Sequence, residues 1–146
     1  MSSDNLANLA KIGTLKAEPP AQKEFDGLLR AARIGLTDAQ KGAIAIESRF
    51  SLAYDAAHSL ALAALRWHGY RSDNRITVFE VLPFTLGIEN QKWRLLVLTH
   101  KRRNLHLYEG RTDLDEKLVA ELIEVAQELL RGVEALDPIP SGGTKG

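Results

Sequence analysis

Trp93-Arg94-Leu95-Leu96-Val97-Leu98-Thr99-His100-Lys101-Arg102-Arg103-Asn104-Leu105-His106-Leu107-Tyr108 is the stretch whose reading decides the fold. Two apolar arms, Trp93 to His100 and Leu105 to Tyr108, flank a polar centre of three cations and an amide. Taken as extended chain, the arms make a hairpin around a polar turn. Taken as coiled chain, they make one helix. Local propensity does not separate the two, but the flanks do. A two-stranded hairpin is marginal without further strands, and the sequence on both sides has the helical period. We therefore read residues 89–108 as one helix.

Working upstream, Leu6, Leu9, Ile12 or Ala10, and then Leu15 form a weak amphipathic pattern over residues 1–16, ended by Pro19-Pro20. A second helix is predicted from Ala21 to Arg33, with Phe25, Leu28, Leu29 and Ala32 on one side and Gly35 as its stop. Thr37-Asp38-Ala39-Gln40 reads as a capping box opening a third helix that reaches His68, with Gly69 as its stop. Its apolar positions, from Ile46 and Phe50 to Ala64 and Leu65, recur at intervals of three and four. Many are alanine, which lets neighbours approach closely, so this is the expected central helix. After a polar loop from Gly69 to Arg75 comes a short helix over Thr77 to Leu86. Pro83 either kinks it or moves its start to Leu82, and Gly87 ends it.

Downstream, Asp113 and Glu116 frame the start of a last helix, whose stripe runs through Leu118, Leu122, Val125, Leu129 and Val133 to Leu136. Asp137-Pro138 ends it, and the Ser141–Gly146 tail is expected to be disordered. The sum is an all-α, up-and-down helical bundle of about five helices. A helical extension occupies residues 1–20, the bundle 21–137 and the tail 138–146.

Composition narrows the function classes. With 146 residues the chain suits one domain. It has no cysteine, which excludes disulfides, thiolate metal sites and cysteine nucleophiles. There is no basic region followed by an apolar run at the start, and no stretch of membrane-spanning length, so a cytoplasmic protein is expected. Neither a glycine-rich phosphate loop nor a Gly-x-Ser-x-Gly element is present, and no His or Glu spacing suggests a metal; no metal and no cofactor are expected. The net charge of zero conceals a segregation: residues 66–111 hold nine basic and four acidic side chains, residues 112–137 two basic and eight acidic. Either the acidic last helix packs beside the basic segment, or that segment offers a patch to an anionic partner.

In the helical reading Arg102 and Arg103 stand four and three residues before His106, on one face. A guanidinium fork holds a phosphate, and an imidazole titrates near neutrality, so His106, Arg102 and Arg103 are the catalytic candidates. Lys101, Asn104 and Tyr108 are the ligand-binding candidates. The competing reading is a solvated, basic last turn favoured by the helix dipole. Arg94 and His100 have five residues between them, but that interior is apolar. Tyr54, Asp55 and His58, on the central helix, read as paired structural groups, and Trp67 and Trp93 as core or interface anchors.

The run Ser48-Arg49-Phe50-Ser51-Leu52-Ala53-Tyr54-Asp55-Ala56-Ala57-His58, with the later Arg103-Asn104 and Tyr108-Glu109-Gly110, resembles HEPN domains (higher eukaryotes and prokaryotes nucleotide-binding) from Ala21 to Leu136. That resemblance implies a helical bundle that dimerises, with the Ala-rich helix and the tryptophans as interface candidates. Many members are metal-independent ribonucleases or toxins paired with a small nucleotidyltransferase antitoxin; others bind nucleotides without catalysis. The ribonucleases separate their Arg and His by more residues. Here two residues lie between Arg103 and His106, and three between Arg102 and His106. The expected function is thus a nucleotide- or RNA-associated binding module, one half of a toxin–antitoxin pair. The alternative is a metal-independent endoribonuclease with an Arg/His site at a dimer interface.

Overall fold

The computed structural model describes residues 2–109 and 114–139, with side chains over 4–104 and 114–139. In chain order the elements are α1 (Ser2–Lys11), β1 (Lys16–Ala17), α2 (Gln22–Ala39), α3 (Ile46–Trp67), β2 (Tyr70–Arg71), α4 (Arg75–Glu80), α5 (Leu82–Thr85), α6 (Asn90–Glu109) and α7 (Glu116–Glu134). The protein is an all-α helical bundle, and the deciding stretch is one helix, α6. The strands among the described residues form one short antiparallel ladder, Lys16 opposite Arg71 and Ala17 opposite Tyr70.

Helix α3 is the centre. It packs on α2 and α7 along its length and is reached by α4, α5 and α6. Ala53, Ala56, Ala57, Ala61, Ala63 and Ala64 are all buried among these neighbours. The alanines therefore seat the chain's own helices, and the expectation that they form a dimer interface is corrected. Helix α7 contributes Val119, Leu122, Ala126, Leu129 and Val133 to the same core. Its first turn is closed by the Asp115 carboxylate, which accepts from the Leu118 amide at 2.7 Å. Both tryptophans are half-buried, and their indoles donate to Asp137 O (Trp67) and Asn90 Oδ1 (Trp93).

Two predicted boundaries move. Helix α2 runs through Gly35 to Ala39, and the Thr37–Gln40 stretch lies at its end instead of opening α3. At Gly35 an added Cβ would stand 3.5 Å from the Leu52 carbonyl oxygen and 3.9 Å from the Ala56 Cβ. That residue is a point of close approach between α2 and α3, not a stop. Gly69 and Gly87 do end their helices, at φ +92° and +69°, where a side chain would be strained. Within the polar loop, Asn74 caps α4 by accepting from the Ile76 and Thr77 amides. Pro83 falls in the first turn of α5, which starts at Leu82.

The N-terminal segment belongs to the same core: Leu6 and Leu15 are buried in it. A charged knot ties it down. Arg66, only 2% exposed, donates from Nε to Glu24 at 2.9 Å, from Nη1 to Glu18 O at 2.9 Å and from Nη2 to Pro19 O at 2.7 Å. Arg71 closes the circuit on Glu18 and Glu24. Burial pushes the Glu24 carboxyl up, but the hydrogen bonds from Arg66 and Arg71 outweigh it and hold the group below its ordinary value. The Ser141–Gly146 tail expected to be disordered lies outside the described residues.

Candidate functional site

One turn of α3 carries Tyr54, Asp55 and His58, which face the N-terminus of α4 and the second half of α6. The Tyr54 ring is fully buried and forms the floor. It meets Phe79 of α4 edge-on at 6.0 Å and stacks against His100 of α6 at 6.1 Å. Two guanidiniums cover it: Arg103 lies 5.0 Å from the ring centroid and Arg75 5.7 Å. Their positions follow from local structure. The Asn74 cap starts α4 so that Arg75 is its first residue, and the 3.6 period of α6 sets Arg103 and Asn104 one turn beyond His100.

The His100 ring is engaged at both nitrogens. Tyr54 Oη lies 2.7 Å from Nδ1, and the Asn104 side-chain nitrogen 3.3 Å from Nε2. With the Asn104 amide nitrogen turned to the ring, Nε2 accepts. The neutral ring then carries its proton on Nδ1 and donates it to the Tyr54 oxygen. Burial, followed by the nearby charges of Arg75 and Arg103, pushes the His100 pKa down. His58 sits edge-on to Phe79 at 5.9 Å. Its pKa is lowered to about 4, first by burial and then by Arg75, His100 and Arg103. Two neutral imidazoles and two guanidiniums thus surround one phenol.

The Asp55 carboxylate stands outside this floor, exposed on α3. One oxygen, Oδ1, is 3.9 Å from Arg75 Nη1 and 4.0 Å from Arg103 Nη2. Both separations exceed hydrogen-bonding range. Arg75 Nη1 is nonetheless buried and makes no hydrogen bond. A buried N–H left unsatisfied is costly. An oxyanion arriving between the two arginines would satisfy it with charge-assisted bonds.

Of the residues singled out from the sequence, Arg103 and Asn104 join this cluster. Arg102 is half-buried and Lys101 exposed on the same helix. The side chains of His106 and Tyr108 lie outside the described residues, and so does the expected meeting of His106 with the arginines. Arg94 is exposed and stacks over Trp93, 5.4 Å from its ring, instead of pairing with His100. Asp55 stands about 4 Å from Arg75 and from Arg103. Sequence reasoning missed His100 and Arg75 as members. The signal was there in part: Tyr54 and His58, and His100 and Asn104, are each spaced by four on their helices.

Elsewhere, a concavity of about 630 Å³ is lined by residues of α2, α3 and α7, among them Gln40, Arg49, Lys117 and Glu121. Its Arg49 is already held by two hydrogen bonds to Glu116. It lacks the buried, unsatisfied donor of the Tyr54 cluster, which we therefore take as the site. Among the described residues no group of three His, Asp or Glu could hold a metal ion, and no helix is long and apolar enough to cross a membrane. No family model, no curated protein and no solved structure matches the chain.

Proposed function

We propose that the protein is a nucleotide- or RNA-associated binding module that holds a phosphate between Arg75 and Arg103. One observation carries the reading: the two guanidiniums share the Tyr54 ring and stand about 4 Å from the same Asp55 oxygen, and the buried Arg75 Nη1 makes no hydrogen bond. Guanidinium forks match phosphate oxygens, and the Tyr54 ring beneath them keeps both cations in place. The resemblance to HEPN domains agrees with this reading. It is also what suggests a homodimer and a nucleotidyltransferase partner in a toxin–antitoxin pair, while the cytoplasmic location rests on the sequence composition.

The alternative, metal-independent cleavage of RNA, rests on His106, whose side chain lies outside the described residues; at the Tyr54 cluster itself binding is the reading that fits His100. General acid–base work needs a ring nitrogen facing the substrate, and both nitrogens of His100 are committed to Tyr54 and Asn104. The test is a fluorescence-anisotropy titration with a short single-stranded RNA at low salt. Arg75→Gln and Arg103→Gln are each expected to weaken binding by about tenfold or more, and Arg94→Gln, away from the cluster, to change it little. Equal losses in all three variants, or no binding by the unaltered protein, would overturn the reading. Cleavage of the RNA that His106→Ala or His100→Ala abolishes would replace it with the enzymatic one.

A further inference from the structure

We infer that an anion held by Arg75 and Arg103 draws protons onto His58 and His100, so that the site binds more tightly as the pH falls. This coupling rests on the phosphate-binding reading above and concerns how that site is regulated. Its basis is the placement of four basic groups around one phenol. His100 stacks on the Tyr54 ring at 6.1 Å, and Arg103 and Arg75 cover that ring at 5.0 and 5.7 Å. His58 lies one turn along α3 and meets Phe79 at 5.9 Å, the same ring that Tyr54 meets at 6.0 Å. The groups that face the two imidazoles are Arg75 from α4, Arg103 from α6, Tyr54 from α3, and each imidazole for the other. Asp55 of α3 is exposed and stands about 4 Å from each guanidinium.

Without a ligand, partial burial and the two fixed guanidinium charges oppose an imidazolium at either position. A phosphate beside the guanidiniums offsets those charges, and its own negative charge attracts an added proton. Linkage makes the effect reciprocal: a ligand that eases protonation is itself bound more tightly once the proton is on. The protons come from solvent. At His100 the new proton enters at Nε2, because Nδ1 already carries one toward Tyr54; Asn104 must then turn its amide so that the oxygen accepts. His58 makes no such exchange, which leaves it the readier of the two to respond.

The experiment is calorimetry on the full chain at constant low salt. The probe is a short 2′-O-methyl oligouridylate with internal phosphodiesters and no terminal phosphate, which resists cleavage and does not itself titrate near neutrality. Its affinity is expected to rise about threefold from pH 7.5 to 6.0, with net proton uptake shown by buffers of different ionisation enthalpy. In the His58→Gln, His100→Gln double variant the ratio of the two affinities should fall toward one. The coupling can also be read without a variant, from the imidazole resonances of the unaltered protein. With the oligonucleotide bound, the two rings that titrate lowest should titrate at higher pH. A flat affinity, low-titrating rings that the bound probe leaves in place, or a rise that the folded double variant keeps in full overturns the proton coupling alone. No binding at either pH overturns it together with the phosphate reading beneath it.

Discussion

Tyr54 Oη and His100 Nδ1 lie 2.7 Å apart across 46 residues of chain, and this bond joins the central helix to α6 at the floor of the site. The phenol belongs to a ring buried from solvent on all sides. The imidazole is only partly covered. The pair therefore links the bundle's interior to the cluster that holds Arg75 and Arg103.

Replacing Tyr54 with Phe isolates the hydroxyl. The ring stays under Arg75 and Arg103, while His100 loses a partner. The expected cost is about 1 kcal/mol of folding stability, the ordinary worth of a hydrogen bond in this setting, read from urea denaturation. Phosphate-probe affinity should change less than it does in Arg103→Gln. A loss of affinity as large as that of Arg103→Gln would mean that Tyr54 contacts the ligand itself.

Stability should fall with acid. Burial holds His58 at about 4 against an ordinary 6.5, so the unfolded chain takes up a proton that the folded one refuses. The contribution is fully present above about 6.5 and is lost as pH falls toward 4, roughly 3 kcal/mol in all. His100, shifted in the same direction, adds to it. The lowered Glu24 carboxyl acts at more acid pH: its stabilisation is present above its ordinary value and disappears as pH drops through the lowered one. Urea midpoints between pH 7 and 4 would show the slope, and His58→Leu should flatten it. An unchanged slope in that variant would assign the acid sensitivity elsewhere.

Arg66 should be among the least replaceable residues. Arg66→Met leaves Glu24 short of a partner and strips donors from the carbonyls of Glu18 and Pro19. A loss of roughly 3 kcal/mol is expected. Arg66→Lys keeps the charge but not the fork, and should recover only part of it. Full recovery by lysine would show that charge alone holds the knot.

Two glycines of α2 should respond differently to substitution. Gly27 is exposed in mid-helix with nothing within 4 Å of an added Cβ, so Gly27→Ala should raise stability by about 0.5–1 kcal/mol. At Gly35 an alanine Cβ meets Leu52 O at 3.5 Å, an ordinary contact, and should be tolerated. Thermal melts of the two variants give the comparison directly.

The bundle was legible because periodicity survives in α3 and α7, whose apolar positions recur every three or four residues. The helical state of α6 followed from its flanks, since its own pattern fits either structure. The α2–α3 boundary was not legible. Gly35 and Thr37-Asp38 carry stop and start chemistry, yet packing on α3 carries the helix through them, so tertiary contact overrode local preference. The site was half legible. Arg103 and Asn104 drew notice as part of a basic run, but their partners lie on other helices. Arg75 had the look of a loop residue until the Asn74 cap placed it at the head of α4. Pairings such as Tyr54 with His100 depend on how helices cross, which one strand of sequence does not display.

The ladder of β1 on β2 and the ring of Glu18, Glu24, Arg66 and Arg71 change what the first twenty residues are. They form a clasp locked onto the far end of the central helix, and without them the buried guanidinium would keep Glu24 but lose the carbonyls of Glu18 and Pro19. A version of the protein shortened to begin at Ala21 would keep every residue of the phosphate cradle, yet should lose its shape before it loses its ligand.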